Sequence, residues 1–222
     1  IRRPPRSTPS NSSAASDVYK RQVITGRMGD EVERAKLTIR KALKGKSVAV
    51  VSGGDPGIYG MAGLIIEVAE KMRVNVPIEI VPGVTAATAA AAKIGAPIMG
   101  DFAIISLSDL LTPWHEIEGR LRAAAEADFV IILYNPKSKR REEPLIKAHQ
   151  ILLEYRKPDT PVGIARNIER ENEQKVITTL KDMLNHEIDM ATTIIVGNSK
   201  TRIVDERIVT SRGYNLSELE GN

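Results

Sequence analysis

The spacing of apolar residues predicts alternating helices and strands along most of the chain. From Asp30, apolar residues recur at three- and four-residue intervals, Asp30 and Glu33 resemble a capping box, and the pattern ends at Gly45, which predicts a helix. Short apolar runs predict buried strands, since a strand with both faces covered needs no polar alternation. These runs are SVAVV, PIEIV, FAIISL, FVIILY, PVGIA, KVITT and TTIIVGN.

Helical segments are predicted between these strands. The helix after SVAVV is expected to start at Pro56, with Asp55 as its N-cap, and to run to about Met72. The others are an Ala-rich helix after PGVTA, one beginning at Thr112–Pro113, one over about 142–155 and a short one from Leu180. This alternation indicates an α/β protein with largely parallel sheets, divided into domains over 23–100 and 101–216.

Glycine-rich, proline-rich or polar stretches follow six of these segments. In α/β sheets ligands bind at the carboxyl ends of strands, so the pattern predicts a ligand site at that edge. The stretches are SGGDP, PGVTA, SLSD, YNPKSKRR, ARN and GNS.

Composition excludes several kinds of chemistry. The chain has no cysteine, which excludes disulfides, thiolate zinc sites and a cysteine nucleophile. The three histidines, on separate predicted helices, have no metal-ligand spacing, so no metal site is predicted. No apolar run reaches the roughly 18 residues of a membrane span. We therefore expect a cytoplasmic protein without a membrane partner.

The basic charge belongs to the first 22 residues. This segment holds five Arg or Lys residues against one Asp, and its net charge accounts for the whole chain's +4. It is rich in Ser, Pro and Arg without apolar periodicity, so residues 1–22 are interpreted as a disordered tail foreign to the fold. With a neutral remainder and 4% aromatic residues, we expect no nucleic-acid partner.

The stretch VSGGDPGIYGMAG predicts a cofactor turn of an unusual kind. It lacks the Lys and Ser/Thr of a phosphate-binding loop, and Asp55 stands where a pyrophosphate would bind. A ligand that is neutral or cationic at this turn suits it better, and S-adenosylmethionine, with its ribose hydroxyls and sulfonium, meets that description. A tight structural turn is the alternative.

Together these motifs resemble the tetrapyrrole methylase family. The segments SGGDPGIYGMAGL, VPGVTAATAAAAKIGAPIMGDFAIISLSDLLTPW, FVIILYNPKSKRR and TTIIVGNS carry the resemblance, from about Val23 to Tyr214. It implies two α/β domains with S-adenosylmethionine in the cleft between them, a homodimer, and S-adenosylhomocysteine as a product. The family's first strand and GxGPG loop have no counterpart here, so the chain is interpreted as lacking them.

The resemblance also implies an activity and a set of site residues. The activity is methylation of precorrin-3B or cobalt-factor III at carbon 17, with ring contraction to precorrin-4, in cobalamin biosynthesis. Because contraction needs proton transfers, Asp109 is the candidate acid/base residue, with a cap for the following turn as the alternative. The residues expected to bind the cofactor are Gly53, Gly54, Asp55, Ile58, Thr85, Ala86, Tyr134, Asn135, Arg166, Asn167 and Ile168.

The basic cluster KSKRR is expected to meet the substrate's carboxylates. Its residues are Lys137, Lys139, Arg140 and Arg141, and a solvated loop is the alternative. Two other functions stay open at this point: another tetrapyrrole methylase, such as a precorrin or uroporphyrinogen III methyltransferase, and a basic RNA-binding protein.

Overall fold

The fold was analysed in a computed structural model that describes residues 22–27, 29–138 and 141–215. These residues form two compact units, one ending at Thr85 and one beginning at Ala86. The sequence-based domain boundary near residue 100 stays a prediction. The units divide earlier because the helix after Ala86 packs on the sheet of the second unit. The predicted tail lies outside the described residues, apart from Gln22.

The first unit contains two packed helices, α1 (Glu31–Leu43) and α2 (Ala62–Lys71). Their facing sides form a small core of six buried residues: Ala35, Ile39, Met61, Ile65, Val68 and Ala69. Helix α1 confirms the predicted helix, and Gly45 follows its end with a φ of 73°. The predicted capping box is wrong, because the Asp30 side chain makes no capping hydrogen bond.

Three further predictions for this unit are wrong. Helix α2 begins at Ala62 rather than Pro56, since residues 56–61 form turns and Tyr59 adopts a φ of 52°, which a right-handed helix excludes. The segments SVAVV and PIEIV form no strand in the part of the chain that the structure describes. Many of their apolar side chains are exposed instead, including Val51 and Val81.

The second unit contains two sheets. The strands are β1 (Gly95–Ala96), β2 (Phe102–Ser106), β3 (Val130–Tyr134), β4 (Pro161–Arg166), β5 (Gln174–Thr179), β6 (Thr192–Val196), β7 (Thr201–Val204) and β8 (Arg207–Thr210). The helices are α3 (Ala86–Ile94), α4 (Trp114–Glu126) and α5 (Glu143–Tyr155), with one 3₁₀ turn at Met183–Asn185. The larger sheet has the order β2-β3-β6-β4-β5, and the smaller one β1-β8-β7.

The larger sheet is mixed rather than largely parallel, which corrects the prediction. Only β2 and β3 pair in parallel, whereas β6 runs antiparallel to both β3 and β4, and β5 runs antiparallel to β4. The ends of β2, β3 and β4 therefore meet at one edge, together with the start of β6. GNS, which follows β6, lies at the opposite edge, where Asn198 donates to the Asp128 carbonyl at 2.9 Å.

Two buried clusters hold the larger sheet. Helices α4 and α5 pack apolar residues such as Leu121 and Leu152 against one face, around Leu133 and Ile194. The other face, around Ile132, is covered by the alanine side of α3. Small residues let α3 approach the strands closely, so its first turn lies near the end of β3.

Candidate functional site

A cavity of about 190 Å³ opens at the edge where β3 and β4 end and β6 begins. Five residues predicted to bind a cofactor line it: Ala86, Tyr134, Asn135, Asn167 and Ile168. They come from the start of α3 and from two strand ends that are far apart in sequence. The structure therefore brings these five residues together in the second unit, while their role in binding a cofactor stays a prediction.

The first turn of α3 is tied to this cavity through Tyr134. The backbone N–H of Ala87 donates to the Tyr134 hydroxyl at 2.6 Å. The first N–H groups of a helix have no partner within the helix, so the hydroxyl satisfies a donor that Ala87, fully buried, cannot offer to water. One side chain thus lines the cavity and fixes the helix start beside it.

Two asparagines in the cavity wall adopt left-handed backbone conformations. Asn135 and Asn167, which follow β3 and β4 directly, both have a φ of 51°. Asparagine tolerates this region better than most residues, and such conformations concentrate at binding sites. The Asn135 side-chain amide also donates to the Ser106 hydroxyl at 2.9 Å, which joins the ends of β2 and β3.

Sequence reasoning missed one wall of the cavity. Residues 190–193, just before β6 and in its first two positions, line it, as does Arg170. The antiparallel course of β6 brings its first residues to the edge where its neighbours end. The apolar run TTIIVG carries no sign of strand direction, so the local sequence gave no signal for this wall.

Arg166, a predicted cofactor residue, is committed to acidic partners in the second unit. Its guanidinium contacts the Asp189 carboxylate at 2.7 and 2.8 Å and the Glu187 carboxylate at 3.1 Å. Burial alone would raise the pKa of Asp189, but hydrogen bonds from Arg166, Ala191 and Thr192 outweigh it and lower that pKa. The pair holds the segment before β6, while Arg166 as a cofactor contact stays a prediction.

Of the four predicted substrate residues, the structure describes Lys137 and Arg141. Lys139 and Arg140 lie outside the described residues. Lys137 pairs with Glu142 at 2.7 Å. Arg141 donates to the carbonyl oxygens of Leu107 and Asn135, and its Nη1 lies 3.6 Å from Asp109, the predicted acid/base residue.

In the first unit, Asp55 connects two glycine-containing turns. Its carboxylate oxygens accept hydrogen bonds from the N–H of Gly57 at 2.8 Å and of Gly83 at 2.9 Å. The bond from Gly83, followed by the one from Gly57, lowers the pKa of Asp55. The predicted N-cap is therefore wrong in detail: Asp55 satisfies backbone N–H groups, but those of two turns rather than of a helix start.

The same turns bring predicted cofactor residues together. A Cβ built on Gly54 would lie 3.8 Å from the Cα of Thr85, and one on Gly83 would collide with the Gly54 carbonyl oxygen. Gly54 also has a φ of 81°. Glycine is thus required at Gly83 by the close backbone approach of the two turns and at Gly54 by its positive φ. Beside these turns Thr85 is buried and Ile58 is exposed.

The described residues contain neither a metal-ligating cluster nor a membrane-spanning helix. No group of three or more His, Asp or Glu side chains could hold a metal ion among them. Within the same residues, no helix is long and apolar enough to cross a membrane.

Comparison with known proteins gives consistent relatives. The chain is 51% identical over 197 residues to the cobalt-factor III methyltransferase of Priestia megaterium, covering 87% of this chain and 36% of that protein. It is 48% identical over 196 residues to the probable cobalt-factor III C(17)-methyltransferase of Salmonella typhimurium, covering 88% of this chain and 81% of that protein. The chain thus spans about a third of the first relative and most of the second.

Solved structures share the fold. The crystal structure of the methyltransferase CobJ matches with a TM-score of 0.78 and 37% identity, over 85% of this chain and 83% of that one. The uroporphyrin-III C-methyl transferase of Thermus thermophilus, complexed with S-adenosylhomocysteine, matches in fold, with a TM-score of 0.55 and 24% identity over 74% of this chain and 72% of that one.

The family comparison covers most of the chain. The family model described as Tetrapyrrole (Corrin/Porphyrin) Methylases matches residues 5–184. Because this range starts inside the predicted tail, the interpretation of residues 1–22 as foreign to the fold stays a prediction. The family resemblance inferred from GDP, PGVTA and the later motifs is confirmed: the chain belongs to the tetrapyrrole (corrin/porphyrin) methylases.

Proposed function

We propose that this chain transfers a methyl group from S-adenosylmethionine to carbon 17 of precorrin-3B or cobalt-factor III. The observation that carries the proposal is its near-50% identity, over most of both chains, to the Salmonella typhimurium protein. The substrate belongs to the proposal, as do ring contraction to precorrin-4, the homodimer and the cytoplasmic location.

The residues around the cavity fit the nucleoside part of S-adenosylmethionine. Ala86, Tyr134 and Ile168 supply apolar and aromatic surface, while Asn135 and Asn167 supply amide donors and acceptors. No acidic side chain lines this cavity among the described residues. In the first unit, the turns joined by Asp55 present closely packed backbone at Gly54, Gly83 and Thr85, which suits a ligand held by main-chain contacts.

Bound S-adenosylmethionine supplies a methyl group on a positively charged sulfur, a good leaving group in an in-line displacement. The chain's own contribution is chiefly to hold the acceptor carbon in line and to exclude water. Tyr134 does part of this by fixing the start of α3 beside the cavity. Asp109 remains the proposed acid/base residue for ring contraction, with its exposed carboxylate beside Arg141.

The four basic residues have two different proposed roles in substrate binding. Lys137, Lys139 and Arg140 are proposed to meet the carboxylates at the periphery of the macrocycle. The guanidinium of Arg141 is largely buried, with a side chain 14% exposed, and donates to two backbone carbonyls. This geometry favours a supporting role for Arg141 over direct contact with a carboxylate.

Calorimetry and product analysis test the proposal on the chain as it stands. S-adenosylhomocysteine is expected to bind at one site per chain. Methyl-labelled S-adenosylmethionine with cobalt-factor III is expected to yield labelled, ring-contracted product. Uroporphyrinogen III is offered as an alternative methyl acceptor, and RNA is added to the chain in a melting assay. Light scattering measures the oligomeric state. Methylation of uroporphyrinogen III would overturn the proposed substrate. Stabilisation by RNA alone would overturn the proposed methyl transfer, and a monomer would overturn the proposed homodimer.

A further inference from the structure

Two adjacent leucines stand out in the loop between β2 and α4. The side chains of Leu110 and Leu111 belong to residues that are 82% and 98% exposed, the highest values among the large apolar residues described. Single exposed apolar residues are common, but two adjacent leucines that are almost fully exposed are a candidate contact surface. The loop lies at the same edge of the sheet as the cavity, because β2 and β3 end side by side at Ser106 and Tyr134.

The base of this loop is firmly anchored. Leu107 is fully buried, and its N–H donates to the Tyr134 carbonyl at 2.9 Å, which extends the pairing of β2 with β3. Its carbonyl accepts a hydrogen bond from Nη1 of Arg141, and the same Nη1 lies 3.6 Å from the Asp109 carboxylate. The leucines are therefore exposed on a loop whose base is held by buried and ionic contacts.

Arg141 also joins this loop to the cavity. Its Nη2 donates to the Asn135 carbonyl at 3.1 Å and lies 3.9 Å from the sulfur of Met190. Asn135 and Met190 both line the cavity. One guanidinium thus contacts the base of the loop on one side and the cavity wall on the other, which joins the loop that carries the leucine pair to the candidate site.

We propose that Leu110 and Leu111 contact the apolar face of the tetrapyrrole macrocycle and that Arg141 is the positioning residue for their loop. The inference rests on the proposed function and names a surface for its substrate. A tetrapyrrole carries its carboxylates on its periphery, while the face of the ring system is largely apolar. An aliphatic pair suits that face because it removes apolar area from water without asking for a polar partner.

The experiment compares substrate and cofactor binding in matched variants of the full chain. The double variant Leu110→Ser/Leu111→Ser removes the apolar surface. Leu184→Ser is the control, since Leu184 is an exposed leucine that lies far from the cavity. It belongs to the 3₁₀ turn after β5, and the end of β5 pairs with the start of β4 at the opposite edge of the sheet. Arg141→Lys and Arg141→Met test the positioning role, because lysine keeps the charge but lacks the planar set of donors.

Cobalt-factor III is titrated by its absorbance and S-adenosylhomocysteine by calorimetry. The double leucine variant is expected to bind cobalt-factor III about 10- to 100-fold more weakly and to raise its KM by a similar factor. Its S-adenosylhomocysteine affinity and unfolding midpoint should match those of the parent. Arg141→Lys should show a smaller rise in KM than Arg141→Met.

The possible failures are distinguishable. A parent chain that binds neither S-adenosylhomocysteine nor cobalt-factor III would overturn the proposed function, and this inference with it. A parent that binds both, with a double leucine variant that has unchanged substrate affinity, would overturn only the inference. An equal loss in Leu184→Ser would also overturn it, because the effect would then not belong to this loop.

Discussion

Replacement of Tyr134 by phenylalanine tests the link between the site and the fold of the second unit. The change removes one oxygen atom, which accepts the Ala87 N–H at 2.6 Å. The ring itself packs against the cluster beneath α3, and phenylalanine keeps that packing. The predicted effect therefore comes from hydrogen bonding by the hydroxyl, which includes the bond at the helix start, and not from a lost core residue.

The size of the effect follows from the burial of the donor. Ala87 is fully buried, so its N–H has no ready substitute in water once the hydroxyl is gone. A buried donor without a partner costs about 1–3 kcal/mol. Tyr134 itself is only partly buried, and water reaching the vacated space offsets some of that loss. We expect the free energy of unfolding to fall by about 1–2 kcal/mol.

Urea denaturation and calorimetry give the two readouts. Tyr134→Phe should unfold at a lower urea concentration with an unchanged slope, and it should bind S-adenosylhomocysteine more weakly because Ala86, next to the freed N–H, lines the cavity. Tyr214→Phe is the control, since that residue is 67% exposed. A Tyr134→Phe protein with parental stability and cofactor affinity would refute the reasoning.

Two further predictions concern the turns joined by Asp55. Gly83→Ala should abolish most S-adenosylhomocysteine binding, because its methyl group meets the Gly54 carbonyl, whereas Gly100→Ala, which meets nothing within 4 Å, should leave binding unchanged; equal affinities in calorimetry would contradict this. Because the pKa of Asp55 is lowered in the folded chain, its stabilising effect is present above its unfolded pKa of about 3.9 and is lost as pH falls through the folded value. Melting temperatures from pH 6 to 2.5 should therefore fall more for the parent than for Asp55→Asn, and parallel curves would exclude the effect.

The elements that the sequence predicted best are those with strong, local signals. The strands β3 and β6 are runs of consecutive branched residues that are buried on both faces, apart from the partly buried Tyr134 at the end of β3, and their predicted positions are confirmed. Helices α3, α4 and α5 lie where the sequence predicted helices, and α4 begins directly after the predicted start at Thr112–Pro113. Burial on both faces leaves a run of one kind of residue, so such strands can be recognised without knowledge of their neighbours.

The turn at Asp55 shows where local patterns stop being sufficient. An Asp before a Pro and a Gly is typical both of a helix N-cap and of an Asx-type turn, since both use a carboxylate to accept backbone N–H groups. Asp55 forms the turn rather than the N-cap because the N–H of Gly83, far along the chain, donates to its second carboxylate oxygen. No local spacing could have shown that partner.

Strand direction accounts for the part of the site that sequence reasoning could not reach. The strand-end rule places ligands at carboxyl ends, and Asn135 and Asn167, which follow β3 and β4, do line the cavity, although their role in binding a ligand stays a prediction. Applied to β6, the same rule favoured GNS, which the antiparallel course of that strand places at the far edge beside Asp128. The residues near β6 that line the cavity are instead 190–193, which are the two residues before the strand and its first two. In a mixed sheet a ligand site draws on the amino end of every reversed strand, so pairing direction must be known before strand ends can be assigned to a site.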